Sequence, residues 1–408
     1  MSACTTRKPD STIYLSPTIA AVANKVARGE STEIFWQQII AAGTPLVEPF
    51  DDHRKVMTFL VRGAQKSVLL IGAPANDHQY LERLGQSDIW YKSFVVPNSA
   101  RLTYKIAVDV PDLSEAEGGR WRALMLTAKA DPLNHTPWPK NSPDFYVQES
   151  SISLPDAPPQ PWSEQRQSPV GELKAYQVES KILGNSRAIN LYTSPGFSPS
   201  APNAILLFVF DAREFISLVP TPIILDNLYA AGRLPPIAAV FVGNPDSSSR
   251  SHELPDNPEF ARFMAQELYP WASRQLGVRI PAERTALAGS SFGGLAAVTV
   301  AMRHTDVFGN ALALSGSFWW KGGADLPVVP QRVISQPRLP LHLFVSAGLF
   351  EGSRNGEPGI IDTSRQLRDA LANKGYEFHY REYVSGHDYF AWQGALADGL
   401  LALFEAKR

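Results

Sequence analysis

A serine flanked by glycines lies in the second half of the chain. Residues 285–300 read TALAGSSFGGLAAVTV, in which a short apolar run and an alanine-rich stretch enclose the pattern Gly289-x-Ser291-x-Gly293. Between a strand and a helix, this pattern forms a strained turn that exposes the serine hydroxyl at the helix N-terminus. The pattern alone also arises by chance at strand-to-helix turns with no chemical role. Ser291 is therefore a candidate nucleophile whose assignment depends on a base and an acid.

The base must be a histidine that reaches the serine from a later loop. A serine hydroxyl becomes nucleophilic when a base accepts its proton and an acid orients that base, and with such a turn the acid and then the histidine follow the serine along the chain. His342 and His379 fall within strand patterns, where packed or surface imidazoles are the rule. His387 lies in the loop VSGHDYF, between the last predicted strand and the last predicted helix. We expect His387 to be the general base.

The acid should follow the strand predicted at 341–345. Glu351 is the first carboxylate after that strand, and we predict that it orients the base. Asp362 and Glu357 are alternatives farther along the same loop region. Asp388, next to the base in sequence, is expected to point elsewhere.

An oxyanion hole needs two backbone N–H groups. The first is expected from Phe292, the residue after the nucleophile, and the second from a loop after an earlier strand. The loop FDAREF follows the strand predicted at 204–210 and offers the amide of Ala212 or, as the alternative, that of Arg213. For either of these two residues, an ordinary position at the end of a strand, without a role in an oxyanion hole, is equally compatible with the sequence.

The elements that position these residues alternate between strand and helix from about residue 171 onward. Apolar strand patterns occur at 204–210, 237–242, 285–288, 311–314, 341–345 and 377–384. Helical patterns occur at 222–231, 258–276, 363–374, 390–406 and directly after the serine turn. This alternation predicts a mostly parallel sheet covered on both faces. The serine turn then follows a mid-sheet strand, which is where an α/β-hydrolase carries it.

The first third of the chain has a different pattern. Two helices are predicted at 17–28 and 33–42, followed by runs rich in Val, Ile, Phe and Tyr at 55–62, 67–71, 89–96 and 101–108. These runs predict a small β-sandwich. Seven prolines between 136 and 162 interrupt regular structure. We therefore predict an N-terminal domain at 1–135, a proline-rich linker at 136–170 and a catalytic domain at 171–408.

The composition limits the classes of function. At 408 residues the chain exceeds the roughly 250 to 300 residues at which single cores divide. With 44% hydrophobic residues, 19% charged residues and a formal charge of −2, it resembles a soluble globular protein and not a nucleic-acid binder held by phosphate contacts. The single cysteine, Cys4, excludes a disulfide framework and a thiolate metal site. We expect no metal and no cofactor in the chemistry.

The sequence also bears on the compartment. No run approaches the roughly 18 apolar residues of a membrane span, and the N-terminus lacks a secretory apolar region. We expect a cytoplasmic protein without a membrane partner, and a periplasmic one if a signal peptide has been removed. The sequence leaves open whether two chains associate.

Five segments together resemble the bacterial enterochelin esterases, which hydrolyse the trilactone backbone of ferric enterobactin-type siderophores. The segments are GSSFGGLA around the serine, RSHELPDN at 250–257, SGSFWW at 315–320, SGHD at 385–388 and ADPLN at 130–134. The resemblance runs from about residue 35 to the end. It implies an α/β-hydrolase domain of the esterase D type after a small Ig-like β-sandwich domain. The sequence departs from the family at Asp211-Ala212, where the family has Asp-Gly, in a longer acid-bearing loop through 354–359, and in an N-terminal extension of about 30 residues.

The resemblance implies a ferric catecholate siderophore as substrate, with its iron as cargo. Such a bulky, aromatic and anionic molecule favours π-faces and cationic donors. Phe318, Trp319 and Trp320 are candidates for the aromatic surface, with interior packing as the alternative. Arg250 and Arg213 are candidate anion contacts, although Arg250 lies near Glu253 and could form a structural ion pair with it.

The sequence therefore predicts a serine esterase that acts on ferric catecholate siderophores. A general carboxylesterase or thioesterase on the same fold is the first alternative, because this fold hosts many activities. A non-catalytic siderophore-binding protein on a hydrolase fold is the second.

Overall fold

The structure, a computed structural model, divides into two units, Met1–Ala157 and Pro158–Arg408. It describes residues 13–76, 78–111, 119–140, 142, 148–353 and 356–405, with the side chains of residues 120 and 121 excepted. Cys4 lies outside the described residues, as does Arg354 in the acid-bearing loop.

Within the described residues, the first unit contains three helices and two antiparallel sheets. Its elements in chain order are α1 (Pro17–Ala27), α2 (Glu33–Ala42), β1 (Leu46–Pro49), β2 (Arg54–Arg62), β3 (Val68–Gly72), β4 (His78–Tyr80), β5 (Glu82–Arg83), β6 (Ile89–Pro97), β7 (Arg101–Val108), α3 (Gly119–Thr127), β8 (Pro137–Trp138) and β9 (Glu149–Ser153). One sheet has the order β1-β2-β6-β5 and the other β4-β3-β7-β9-β8. The rings of Phe59 on β2 and Tyr104 on β7 pack edge to face at 4.8 Å, so side chains of the two sheets share one core.

The boundary between the units, after Ala157, falls within the segment predicted as a linker. Within the predicted linker at 136–170, the segment 149–153 forms β9 and pairs with β7, with Ser153 opposite Arg101. The sequence of β9, ESSIS, contains no proline. Pro137 lies in β8 at the edge of its sheet, where a missing N–H is tolerated. The prolines therefore flank the strand and do not interrupt it.

The second unit alternates strands and helices around one eight-stranded sheet. Its strands are β10 (Glu172–Ser180), β11 (Asn185–Thr193), β12 (Ile205–Phe210), β13 (Ile237–Val242), β14 (Thr285–Ser290), β15 (Asn310–Leu314), β16 (His342–Gly348) and β17 (Glu377–Tyr383). Its helices are α4 (Ala212–Ser217), α5 (Thr221–Ala230), α6 (Ser247–Glu253), α7 (Pro258–Phe263), α8 (Tyr269–Leu276), α9 (Phe292–Arg303), α10 (Val328–Ser335), α11 (Ile360–Asn373) and α12 (Tyr389–Phe404).

The sheet order is β10-β11-β13-β12-β14-β15-β16-β17. Strands β10 and β11 pair antiparallel, and all pairs from β13 to β17 are parallel. The apolar strands β12 and β13 are fully buried, as expected of strands covered on both faces. Separate hydrophobic clusters cover the two faces, one beneath α7 to α9 and the other beneath α5 and α12. The predicted α/β class and its mostly parallel sheet are confirmed.

The long helix predicted at 258–276 is interrupted. Its middle forms a π-helical turn over Met264–Leu268, between α7 and α8. Pro270 lies at the start of α8 and cannot donate an N–H to the preceding turn, which explains why the regular α-helical ladder breaks there. Among the described residues, no helix is long and apolar enough to cross a membrane.

Candidate active site

The candidate nucleophile occupies a strained turn between β14 and α9. Ser291 has φ 57° and ψ −122°, a conformation that non-glycine residues rarely adopt, and its amide donates to the Leu314 carbonyl at 3.1 Å. A Cβ at Gly289 would lie 2.7 Å from the carbonyl carbon of Gly293, and one at Gly294 would lie 3.0 Å from the Gly316 Cα. The glycines are therefore required by close backbone contacts, and the predicted strand–turn–helix context of the serine is present.

Ser291 opens into a cavity of about 780 Å³. The volume is typical of a small-molecule site. Residues that line the cavity include all three members of the predicted triad, namely Ser291, Glu351 and His387. The Ser291 hydroxyl oxygen lies 3.4 Å from the hydroxyl oxygen of Ser317, which also lines the cavity. The predicted nucleophile, base and acid are therefore brought together at one concave surface.

The predicted base and acid form a direct hydrogen-bonded pair. The Nδ1 atom of His387 lies 2.5 Å from Oε1 of Glu351. A carboxylate on this side favours the tautomer with the proton on Nδ1, which leaves Nε2 able to accept a proton from the nucleophile. The His387 ring also packs against the edge of Trp392, with centroids 4.8 Å apart. His342 and His379 are exposed on β16 and β17, as their strand patterns suggest.

Buried donors hold the Glu351 carboxylate in place. Its side chain is 2% exposed, and its Oε2 atom accepts from the Ser315 hydroxyl at 2.8 Å and from the Gly348 amide at 2.5 Å. The Ser315 oxygen in turn accepts from the indole N–H of Trp392 at 3.0 Å. These donors fix the orientation of the carboxylate that contacts the base.

The alternative acids have other contacts. Asp362 accepts from the Gly359 amide at 2.8 Å and caps α11. Glu357 lies at the cavity rim, 73% exposed, with Lys321 3.5 Å away. Asp388 accepts from the Ala391 amide at 2.7 Å and caps α12. Of these carboxylates, Glu351 has the contact to His387 that orienting the base requires.

The Ser315 hydroxyl is expected to matter for turnover because it fixes the acid. Replacing Ser315 by alanine removes one hydrogen bond to a buried carboxylate, which is worth about 1.5–3 kcal/mol. Because the Gly348 amide still holds the same carboxylate oxygen, only part of this free energy should be lost in the transition state. We expect kcat to fall roughly 3- to 30-fold with little change in KM, measured by steady-state ester hydrolysis. Ser273→Ala, which removes a hydroxyl bonded to a helix carbonyl on α8, is the matched control. A rise in KM with kcat unchanged would contradict this role for Ser315.

The two predicted oxyanion donors lie on neighbouring segments. Phe292 is the first residue of α9, where backbone N–H groups lack partners within the helix. Ala212 follows Asp211, which has a left-handed conformation with φ 56° at the end of β12. A Cβ at Gly293 would lie 3.4 Å from an Asp211 carboxylate oxygen, so the loop after β12 passes beside the serine turn. This placement is compatible with the predicted pair of amides.

The two candidate arginines differ in their surroundings. Arg250 forms a bidentate ion pair with Asp211 at 2.7 and 2.8 Å, and not with Glu253. Glu253 instead pairs with the buried Arg187 at 2.9 Å. The sequence allowed an ion pair between Arg250 and Glu253, and the structure shows a different one. The partner of Arg250 is Asp211, which lies far away in sequence on the loop after β12. Arg213 is exposed at the start of α4.

The three candidate aromatics differ in exposure. Phe318 is 0% exposed and belongs to a buried hydrophobic cluster, which is the interior packing that the sequence left as the alternative. Trp319 is 39% exposed, and both Trp319 and Trp320 line the cavity. Their rings pack against Phe292 with centroids 5.9 and 5.7 Å away. Two of the three predicted aromatics therefore face the cavity.

Several residues of the site have no counterpart in the sequence predictions. Lys321 lines the cavity directly after the tryptophan pair, and its position in the same loop is a signal that could have indicated it. Gln366 reaches the cavity from α11. Trp392 contacts both the base and Ser315, but its place in an apolar helix pattern gives no such indication.

The chain matches known proteins along both units. The esterase family model matches residues 180–403, and a model of the N-terminal domain of enterochelin esterases matches residues 56–163. An iron(III) enterobactin esterase of Dickeya dadantii is 30% identical over 93% of this chain and 94% of its own length. An iron(III) salmochelin esterase of Escherichia coli is 28% identical over 94% of this chain and 96% of its own.

Solved structures give the same result. A ferric enterobactin esterase from Salmonella typhimurium matches 91% of this chain and 98% of its own, with a TM-score of 0.73 and 27% identity. An enterobactin esterase from Shigella flexneri, crystallised in the presence of enterobactin, matches 91% of this chain and 97% of its own, with a TM-score of 0.72 and 28% identity. The predicted resemblance is confirmed, and the chain belongs to the iron(III) enterobactin esterase family.

Proposed function

We propose that this protein is a serine esterase that hydrolyses the trilactone ester bonds of ferric enterobactin-type catecholate siderophores and so releases iron. The observation that carries the proposal is the His387–Glu351 pair on the same cavity as Ser291. Relatives that match nearly the whole chain are named iron(III) enterobactin and salmochelin esterases, which supports this substrate class. The iron belongs to the substrate.

In the acylation step, Ser291 attacks a lactone carbonyl carbon while His387 accepts the hydroxyl proton on Nε2. The Glu351 carboxylate stabilises the imidazolium that forms. The carbonyl oxygen becomes an oxyanion, and we assign its stabilisation to the amides of Phe292 and Ala212. Collapse of the tetrahedral intermediate breaks the ester C–O bond, and His387 returns the proton to the departing alkoxide.

Water then completes the reaction. His387 accepts a proton from a water molecule, whose oxygen attacks the acyl carbon bound to Ser291. A second tetrahedral intermediate collapses, the proton passes back to the serine oxygen, and the carboxylic acid leaves. The net change for each turnover is one ester and one water converted to one acid and one alcohol. Each further ester bond of the trilactone can be cleaved by the same cycle.

The cavity rim suits an aromatic, anionic ligand. Trp319 and Trp320 offer π-faces, and Lys321 places an ammonium group beside them. Lys321 also lies 3.5 Å from Glu357, and because both side chains are exposed this ion pair is worth little. An anionic catecholate can therefore compete for Lys321 at small cost.

Trp319 is expected to contribute binding and not chemistry. Replacing it by alanine removes a ring that lines the cavity, and a contact between this ring and a catechol ring is worth about 0.5–1.5 kcal/mol, so we expect KM for ferric enterobactin to rise roughly 2- to 13-fold with kcat little changed. The same variant should leave KM for a short aliphatic ester such as methyl butyrate nearly unchanged. Trp90→Phe, a substitution in the first unit, serves as the tryptophan control. A large fall in kcat for both esters would contradict a binding role.

Product analysis tests the proposal directly. The wild-type protein and Ser291→Ala are incubated with ferric and iron-free enterobactin, and the products are followed by mass spectrometry. We expect linear trimer, dimer and monomer of the acylated serine from the wild type only. Turnover of simple acyl esters or thioesters without hydrolysis of enterobactin would support the general esterase instead. Enterobactin binding without hydrolysis of any ester would support a binding protein.

A further inference from the structure

Asp211 lies at the junction between β12 and the second predicted oxyanion donor. It is 2% exposed and adopts the left-handed conformation, φ 56°, immediately before Ala212. Its carboxylate accepts from three donors. The Oδ1 atom accepts from Nε of Arg250 at 2.7 Å and from the amide of Asn244 at 2.7 Å, and Oδ2 accepts from Nη2 of Arg250 at 2.8 Å. A planar guanidinium thus holds the carboxylate by both oxygens, which fixes orientation as well as distance.

The same guanidinium contacts the other side of the oxyanion hole. The Arg250 Cζ atom lies 5.9 Å from the centroid of the Phe292 ring, within the range of a cation–π contact. Arg250 therefore touches the side chains of Asp211 and Phe292, which flank or carry the two predicted donor amides. The Arg250 side chain thus links the loop after β12 to the start of α9.

Two observations separate Arg250 from the substrate surface. Among the described residues that line the cavity, Arg250 does not occur, whereas Lys321 does. The helix that carries Arg250, α6, is also anchored three residues later, where Glu253 pairs with the buried Arg187 at 2.9 Å. An arginine on an anchored helix, with Nε and Nη2 both bonded to a buried carboxylate, is poorly placed to follow an incoming anion.

We propose that Arg250 is a positioning residue of the oxyanion hole, which fixes the Ala212 amide through Asp211, and that it is not a contact for the siderophore anion. This inference rests on the proposed hydrolase function. The physical reason is that Asp211, a non-glycine residue held at φ 56°, needs external bonds to keep its backbone in this rarely adopted conformation. Loss of the clamp would let the amide move away from the developing oxyanion, and small displacements of this kind cost rate.

Steady-state kinetics on two substrates test the proposal. Arg250→Met and Asp211→Asn are assayed with p-nitrophenyl butyrate, which is short and uncharged, and with ferric enterobactin. Asparagine preserves the size of Asp211 and tolerates the left-handed conformation. We expect both variants to lower kcat roughly 10- to 100-fold on both substrates, with KM within about threefold, because the oxyanion forms in both reactions. Arg250→Lys, which keeps the charge but loses the fork, should be impaired on both substrates as well.

The double variant and a boronic acid inhibitor sharpen the result. If Arg250 acts through Asp211, the Arg250→Met/Asp211→Asn variant should lose no more rate than the worse single variant. The affinity for a boronic acid, which forms a tetrahedral adduct with the serine, should fall in parallel with kcat. Arg262→Met, on the exposed surface of α7, is the matched control and should behave as wild type.

Several outcomes would overturn the proposal. A rise in KM for ferric enterobactin with unchanged p-nitrophenyl butyrate kinetics would show that Arg250 is an anion contact, especially if Arg250→Lys restores binding. Unchanged kcat in folded Arg250→Lys would show that the bidentate clamp is unnecessary. If the wild type hydrolysed p-nitrophenyl butyrate but not enterobactin, the proposed substrate would be refuted. The kinetics with p-nitrophenyl butyrate would still test the role of Arg250.

Discussion

Replacing Ser291 by alanine is expected to lower kcat for ester hydrolysis by about a thousandfold or more. Single removals of a serine nucleophile in hydrolases of known mechanism lose roughly 10³- to 10⁶-fold, because the covalent path is abolished while the oxyanion donors and binding contacts remain. Ser291 is the N-cap residue of α9 and has a strained backbone conformation, and alanine has the same strain there. The substitution therefore neither relieves nor adds strain at the turn. The thermal midpoint should therefore change little.

The neighbouring hydroxyl provides the comparison for this prediction. Ser317 lies 3.4 Å from Ser291, and it is the side chain best placed to substitute as nucleophile. We expect Ser317→Ala to cost less than tenfold and to remain labelled by a fluorophosphonate, whereas Ser291→Ala should lose the label. Labelling of the Ser291→Ala variant, or substantial hydrolysis by it, would show that another group is the nucleophile.

The parts of the site predicted from sequence are those set by local geometry. Close backbone contacts at the turn require glycine at position 289, and the pattern Gly289-x-Ser291-x-Gly293 predicts the strand and the helix around it. His387 is also indicated locally, since it lies on a short loop between β17 and α12. Strand and helix periodicity predict the parallel sheet in the same way, with each element read from its own residues.

The parts that sequence reasoning did not reach depend on contacts between distant segments. The ion pair of Arg250 joins residues 39 positions apart, and no pattern near Arg250 indicates Asp211 as the partner. Phe318 and Trp319 are adjacent aromatics, yet one is buried and the other faces the cavity, because the loop after β15 turns one side chain under the sheet. The strand β9 was not predicted for a similar reason, because its pairing with β7, and not its local composition, makes it a strand.

The acid-bearing loop gives the second large effect. Glu351→Gln is expected to lower kcat roughly 10²- to 10⁴-fold with KM little changed. The Oε2 position of Glu351 accepts from both Ser315 and Gly348, so the single oxygen of glutamine must occupy that position. Its NH₂ group then faces Nδ1 of His387 and donates to it, which forces the ring proton onto Nε2. An imidazole protonated at Nε2 cannot accept the proton of Ser291.

Variants of the alternative acids distinguish this mechanism from a general effect of charge in the loop. Glu357→Gln removes an exposed rim carboxylate, and Asp362→Ala removes the acceptor that caps α11. We expect each to retain more than a tenth of the wild-type kcat, with Asp362→Ala lowering the thermal midpoint, because a helix cap is worth about 1 kcal/mol. NMR of the His387 imidazole should show the Nδ1 proton in the wild type and its loss in Glu351→Gln. If Glu357→Gln were inactive while Glu351→Gln kept normal turnover, the acid would be Glu357, and the short contact between Glu351 and His387 would be structural only.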